Sequence, residues 1–203
     1  MIGRLGVFGG TFDPIHLAHL VLAEQAREQL RLDLVLFVPA SAPPHKLGDA
    51  ISPPKVRLEM VELAVAGHPQ FAVCDLELRR DGPSYTVETL RTLKQDHPSA
   101  ELFLLLGGDS LRDFLGWREP HEILKLARLG VMQREGVEAP PTFSEFSNAF
   151  ADRICEIKAP TLSISATDLR RRVADGRSIR FLVPSAVEAY IAAQGLYRND
   201  ANV

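Results

Sequence analysis

Long apolar runs are missing from this chain of 203 residues: no stretch reaches the ~18–20 residues that a membrane-spanning helix needs. Cysteine is scarce. Cys74 and Cys155 form neither a CxxC pair nor a disulfide-framework spacing, which points to a reducing compartment and away from a structural zinc site. Excess charge of either sign is also missing. Lys and Arg number 23 against 26 Asp and Glu, a formal net charge of -3, which argues against a protein that coats duplex nucleic acid through bulk charge. The opening residues, MIGRLGVFGGTFDPIH, reach glycine and proline too early for a signal peptide. The expectation is a cytoplasmic protein with no nucleic-acid or membrane partner. Hydrophobic residues at 46% and charged residues at 24% are globular proportions, and the length suits one domain over 1–203.

Short apolar runs are present in good number. Residues 4–8 (RLGVF), 34–38 (LVLFV), 71–74 (FAVC), 101–106 (ELFLLL) and 129–132 (LGVM) have strand length and do not alternate, as expected of strands buried on both faces. Helical spacing fills the gaps over 19–30, 54–66 and 87–95, and again over 167–174 and 185–194. Gly67, Gly176 and Gly195 stand where three of these helices stop. Ser52 precedes Pro53-Pro54 at a helix start, and Thr142 with Glu145 forms a capping box before Phe146 and Phe150. Strands alternating with helices predict an α/β fold: a Rossmann-like doubly wound parallel sheet, with a small helical C-terminal appendage from about 160 to 203. The Pro-rich connection at 39–54 is long enough to be a functional loop.

Three constellations carry chemistry. The segment Gly9-Gly10-Thr11-Phe12-Asp13-Pro14-Ile15-His16-Leu17-Ala18-His19 follows the first strand, where open parallel sheets bind ligands. Glycines there let backbone N–H groups approach an anion, the next helix offers its N-terminal donors, and His16 and His19 project from one face. The plainer alternative is a Gly-Gly hairpin turn with surface histidines. A second constellation is Ile164-Ser165-Ala166-Thr167-Asp168-Leu169-Arg170, in which Ser165 or Thr167 caps a helix and Arg170 projects from its first turn. From 168 to 180 five arginines face two aspartates, so an ordinary basic surface helix is the alternative. The third is Leu106-Gly107-Gly108-Asp109-Ser110, whose Asp109 could accept ribose hydroxyls or simply cap a helix.

The first segment resembles the GTFDPxHxGH signature of the nucleotidylyltransferase superfamily, with Ala18 where the signature has Gly. The second resembles its ISSTxxR element, with Ala166 at the second Ser. Pro83-Ser84-Tyr85-Thr86-Val87-Glu88-Thr89 is similar to the SYTxDT motif of bacterial nicotinate mononucleotide adenylyltransferases. Trp117, the single tryptophan, falls where that family places an aromatic that stacks on the pyridine ring. Ala42-Pro43-Pro44-His45-Lys46 resembles its PPHK stretch, and Arg134 stands where it often shows Arg-Pro-Gly, here with Glu135 for the proline. The resemblance runs from about residue 3 to 197.

It implies adenylyl transfer from ATP to nicotinate mononucleotide, giving deamido-NAD and pyrophosphate in NAD biosynthesis. His16, His19 and Arg170 would serve the reacting phosphates. Gly9, Gly10, Thr11, Phe12, Gly107, Asp109, Ser165 and Thr167 would bind ATP. Lys46, Ser84, Tyr85, Thr86, Trp117 and Arg134 would bind the mononucleotide. Magnesium would ride on the ATP phosphates with no protein cage of its own. Assembly into a homo-oligomer stays open. Competing readings are a pantetheine-phosphate adenylyltransferase, a non-catalytic nucleotide-binding module, and a synthetase-like ligase, for which no KMSKS-like segment is evident.

Overall fold

The apolar runs do what their lack of alternation implies and form the centre of a parallel sheet. The structure, a computed structural model, describes residues 2–42, 51–134 and 150–198, apart from the side chains at 108, 109, 133, 134 and 151. The strands are β1 (Arg4–Gly10), β2 (Leu34–Pro39), β3 (Phe71–Val73), β4 (Glu101–Gly107), β5 (Ala127–Arg134) and β6 (Ile154–Ala159). Their order is β3-β2-β1-β4-β5-β6, every neighbouring pair parallel. The helices between them are α1 (Leu17–Gln29), α2 (Pro54–Val65), α3 (Thr86–Asp96), α4 (Gly108–Arg112) and α5 (Pro120–Leu126), followed by α6 (Ala166–Ala174) and α7 (Ser185–Ala193). Among the described residues no helix is long and apolar enough to cross a membrane.

Successive side chains on a strand point to opposite faces, and both faces here are covered. On one side Phe37, Phe103, Leu105 and Ile157 pack with Ala23 of α1 and Met60 of α2. On the other, Leu5, Val7, Leu102 and Leu104 pack with Leu90 of α3 and Ile123 of α5. The α6–α7 segment joins the first of these cores through Leu169, Val187 and Ile191, so the C-terminal helices share their buried surface with α1 and α2.

One local reading is refined. Helix α2 begins at Pro54 with Pro53 as its N-cap and no side-chain cap bond, so the Ser52 hydroxyl does not cap it. The Ser52 backbone serves elsewhere, as described below. The 142–145 capping box lies outside the described residues. Strand β6 and helices α4 and α5 are additions to the sequence reading.

Candidate active site

Strands β1 and β4 stay in register from Arg4 opposite Glu101 to Val7 opposite Leu104. Beyond that their chains leave for opposite faces of the sheet, β1 into α1 and β4 into α4, and a crevice opens at this switch in strand order. The glycine pair ends β1 at the lip of the crevice. A Cβ on Gly10 would stand 2.8 Å from the ring of Phe12, so the loop can turn this tightly only because the side chain is absent. Phe12 itself is buried with φ 50, a left-handed conformation for a bulky residue, and its ring meets His19 edge-on at 5.1 Å. A residue expected to act through its backbone thus also fixes an imidazole.

His16 is the N-cap of α1 and His19 sits one turn in, three residues on. Their rings stack at 3.7 Å with 22° between planes. The His16 N–H donates to Nδ1 of His19 at 3.2 Å, and this acceptor role assigns the His19 ring proton to Nε2. His16 is 5% exposed, and its Nδ1 has no hydrogen-bond partner among the described residues. Burial pushes its pKa down to about 4, so around pH 7 this imidazole is uncharged. It therefore meets a ligand as a hydrogen-bonding group and brings no charge of its own.

Ser165 caps α6, its Oγ accepting the Asp168 N–H at 3.2 Å. Arg170 then reaches across the molecule, and its Nη1 donates to the main-chain carbonyl of Asp13 at 2.8 Å. A guanidinium 157 positions away in sequence thereby joins the loop that carries the histidines. Thr167 is exposed in the first turn of α6, which leaves its hydroxyl open to a ligand.

Beside the imidazoles and Arg170 lies a cleft of about 340 Å³. Gly9, Gly10 and Thr11 form one wall, and Ser84, Tyr85, Thr86 and Trp117 face it over an apolar floor that includes Leu104 and Leu106. Four of the residues expected to receive a pyridine nucleotide are thus gathered in one place. Ser84 is fixed from both ends: its Oγ accepts the Ser41 N–H at 2.9 Å and its N–H donates to the Ala42 carbonyl. Trp117 leans on Phe114 with centroids 5.5 Å apart, and the Arg118 guanidinium lies 4.5 Å over the Tyr85 ring. Deeper in, the Thr89 hydroxyl donates to Glu77 Oε1 at 2.6 Å, a buried pair.

Behind the glycine loop, Arg57 is 1% exposed and Asp13 2%. Arg57 donates to the carbonyls of Ser52 (2.9 Å), Thr11 (2.8 Å) and Ser41 (3.2 Å). Burial pulls its pKa down, and the nearby Asp13 carboxylate opposes that. The Asp13 carboxylate in turn accepts the Ser52 N–H at 3.1 Å and the Tyr197 hydroxyl at 2.6 Å. Sequence reading missed Arg57, Tyr197, Glu77 and Arg118, and gave Thr89 no role beyond closing its motif. Arg57 carried a signal, since Met60 and Val61 at i+3 and i+4 put it on the buried stripe of α2. Tyr197 carried none.

Of the remaining expected residues, Gly107 ends β4 as the N-cap of α4. Lys46 lies outside the described residues. Asp109 in α4 and Arg134 at the end of β5 have described backbones only.

Residues 7–172 match the cytidylyltransferase-like family. A relative from Thermomicrobium roseum, "probable nicotinate-nucleotide adenylyltransferase", is 50% identical over 198 residues, 97% of this chain and 92% of the relative. The chain belongs to the nicotinate-nucleotide adenylyltransferase branch of the cytidylyltransferase-like family. A second member of that branch, from Thermus thermophilus, is 47% identical, covering 96% of this chain and all of the relative. In fold the adenylyltransferase chain is similar to Plasmodium falciparum nicotinic acid mononucleotide adenylyltransferase complexed with NaAD, at a TM-score of 0.78 and 18% identity, covering 96% and 97% of the two chains.

Two predictions follow from the buried charges of this adenylyltransferase fold. Replacing Arg57 by Leu deprives three buried carbonyls of their donor and the Asp13 carboxylate of a nearby cation, and should lower unfolding free energy in urea by roughly 3–5 kcal/mol. A loss under ~1 kcal/mol would show that Arg57 is not the tie. For His16, the folded pKa of about 4 lies below the ordinary 6.5. Its contribution is therefore fully present above pH 6.5 and lost as pH falls towards 4, at most roughly 3 kcal/mol. Over that window the wild type should lose more stability than His16→Gln, whereas parallel curves would remove His16 as the cause.

Proposed function

We propose that the chain transfers the adenylyl group of ATP to nicotinate mononucleotide, releasing pyrophosphate and giving nicotinate adenine dinucleotide, a step of NAD biosynthesis. The observation that carries this reading is the meeting of two unlike half-sites at Gly9 and Gly10. On one side stand the stacked imidazoles and Arg170, on the other the Trp117 cleft. The names of the relatives, up to 50% identical over nearly the whole chain, agree with it.

A phosphate oxygen of the mononucleotide attacks the α-phosphorus of ATP, a new P–O bond forms, and the α–β bridging bond breaks as pyrophosphate leaves. The attacking phosphate is already an anion near pH 7, so the protein need supply no general base. What it supplies is position and stabilisation of negative charge on the leaving group. His19 donates through Nε2–H and His16 through its own ring to the ATP phosphates, while N–H groups of Gly9, Gly10, Thr11 and Phe12 cradle them. Ser165, Thr167 and Arg170 hold the departing pyrophosphate. Gly107 and Asp109 line the ATP side, with Asp109 on the ribose.

Trp117 lies flat against the pyridine ring, and Ser84, Tyr85 and Thr86 at the start of α3 receive the nicotinate carboxylate. Lys46 and Arg134 approach the mononucleotide phosphate as cations. Nucleotidyltransferases use a divalent metal. The protein donors gathered on the phosphate side are imidazole, hydroxyl and guanidinium groups, so magnesium would take its oxygen ligands from ATP itself and neutralise phosphate charge.

The direct test offers ATP and magnesium with the acid or the amide mononucleotide in separate reactions and identifies the dinucleotide formed. The acid should be used and pyrophosphate released, whereas no product with either substrate would end this reading. His19→Ala should lower kcat by a factor of ~100 or more without loss of folding. Trp117→Ala should raise KM for the mononucleotide by roughly 10-fold or more while KM for ATP changes little; equal changes in both would make the indole structural.

A further inference from the structure

The last described turn of the chain returns to the phosphate loop. Tyr197 lies four residues beyond the end of α7, yet its hydroxyl donates to Oδ1 of Asp13 at 2.6 Å, across 184 positions of sequence. Its backbone has φ 63, left-handed for a residue with a large side chain, so the surroundings hold it against a local preference. The ring is partly buried, with the hydroxyl also 3.9 Å from the Met60 sulfur. Burial and the bond to Asp13 both push the phenol pKa upward, so it remains a donor near neutral pH.

Every polar atom of Asp13 beyond its own N–H is engaged by a different part of the chain. Oδ1 takes Tyr197, Oδ2 takes the N–H of Ser52, and the main-chain carbonyl takes Nη1 of Arg170. The carboxylate and the carbonyl belong to one residue in a loop without regular structure. Holding the first restrains the backbone that carries the second. If the Tyr197 bond is lost, one carboxylate oxygen is unpaired at a site only 2% exposed, and the residue must turn to find another donor. That turn carries the carbonyl, and with it the anchor of Arg170.

We propose that Tyr197 is a positioning residue for phosphate chemistry: through Asp13 it sets the placement of the Arg170 guanidinium beside the glycine loop. The inference rests on the adenylyl-transfer reading, in which Arg170 holds the departing pyrophosphate. It makes the C-terminal turn part of the catalytic apparatus although that turn donates nothing to substrate. A tyrosine that merely packed would alter stability alone.

The experiment is a double-mutant cycle on the full chain with Tyr197→Phe and Arg170→Ala, read as kcat and as the Kd of magnesium pyrophosphate. Thermal unfolding is followed alongside to confirm folding. Tyr197→Phe should lower kcat roughly 10-fold and weaken pyrophosphate binding by a similar factor, with KM for the mononucleotide within about 2-fold of wild type. In the Arg170→Ala background the same change should have less than about a 2-fold effect. Asp13→Ala removes the same link from its other end and should show the same dependence on Arg170. The inference is overturned if Tyr197→Phe leaves kcat unchanged, or if either variant acts by the same factor whether or not Arg170 is present. Failure of the wider reading is distinguishable, because then Arg170→Ala alone would leave kcat and pyrophosphate binding as they were.

Discussion

Arg57 is all but shut off from water, and the three carbonyls it satisfies belong to Thr11, Ser41 and Ser52, in irregular segments that follow β1, follow β2 and precede α2. None of these segments has a hydrogen-bond ladder of its own, so their mutual arrangement must come from outside them. Removing a guanidinium from water costs several kcal/mol, and the cost is met here by those carbonyls together with the Asp13 carboxylate nearby. A charge so placed tolerates few alternatives. Move one of the loops and either a buried cation loses acceptors or a buried anion loses its neighbour. One buried cation thus ties together loops that wall the site.

The sheet decides where that arrangement sits. In the order β3-β2-β1-β4-β5-β6 the chain changes direction across the sheet between β1 and β4, and the segments leaving these two strands depart to opposite faces. The glycine pair and Gly107 close those two strands. Around the crevice the chemistry divides in two. One half presents imidazole, hydroxyl and guanidinium groups suited to phosphate oxygens, held by α1 and α6. The other presents Trp117 and the start of α3 over an apolar floor, suited to a flat ring with a small anionic substituent. A reaction that joins a phosphate of one nucleotide to that of another needs both halves, and the Gly9–Gly10 turn is their common edge.

The legibility of these features in the sequence tracked the length scale of the pattern. Strands β1, β2 and β4 are buried on both faces and read as unbroken apolar runs. Strand β6 was missed because it lies at the sheet edge, where exposed Glu156 and Lys158 interrupt Ile157 and Ala159. Helices α4 and α5 span 5 and 7 residues, too short for a 3.6-residue period to declare itself. At the candidate site, position and spacing after β1 marked His16 and His19, whereas Ser84, Thr86, Trp117, Ser165 and Arg170 were singled out by the resemblance. The uncharged state of His16 was not, since it depends on burial that no local pattern records.

By itself the sequence determined what is local or periodic: which segments are strands and helices, that the strands run parallel, and that a glycine loop precedes a helix bearing two imidazoles. The resemblance of residues 164–170 to the ISSTxxR element also marked Arg170 as a candidate phosphate ligand. Only the tertiary structure decided that Arg170 anchors on the Asp13 carbonyl, that Arg57 binds three loops at once, and that Tyr197 reaches back 184 positions to the same aspartate. The physical reason is that a buried polar group must find partners wherever packing puts them. Those partners are set by the three-dimensional meeting of distant loops, for which neighbouring residues in the chain leave no signature.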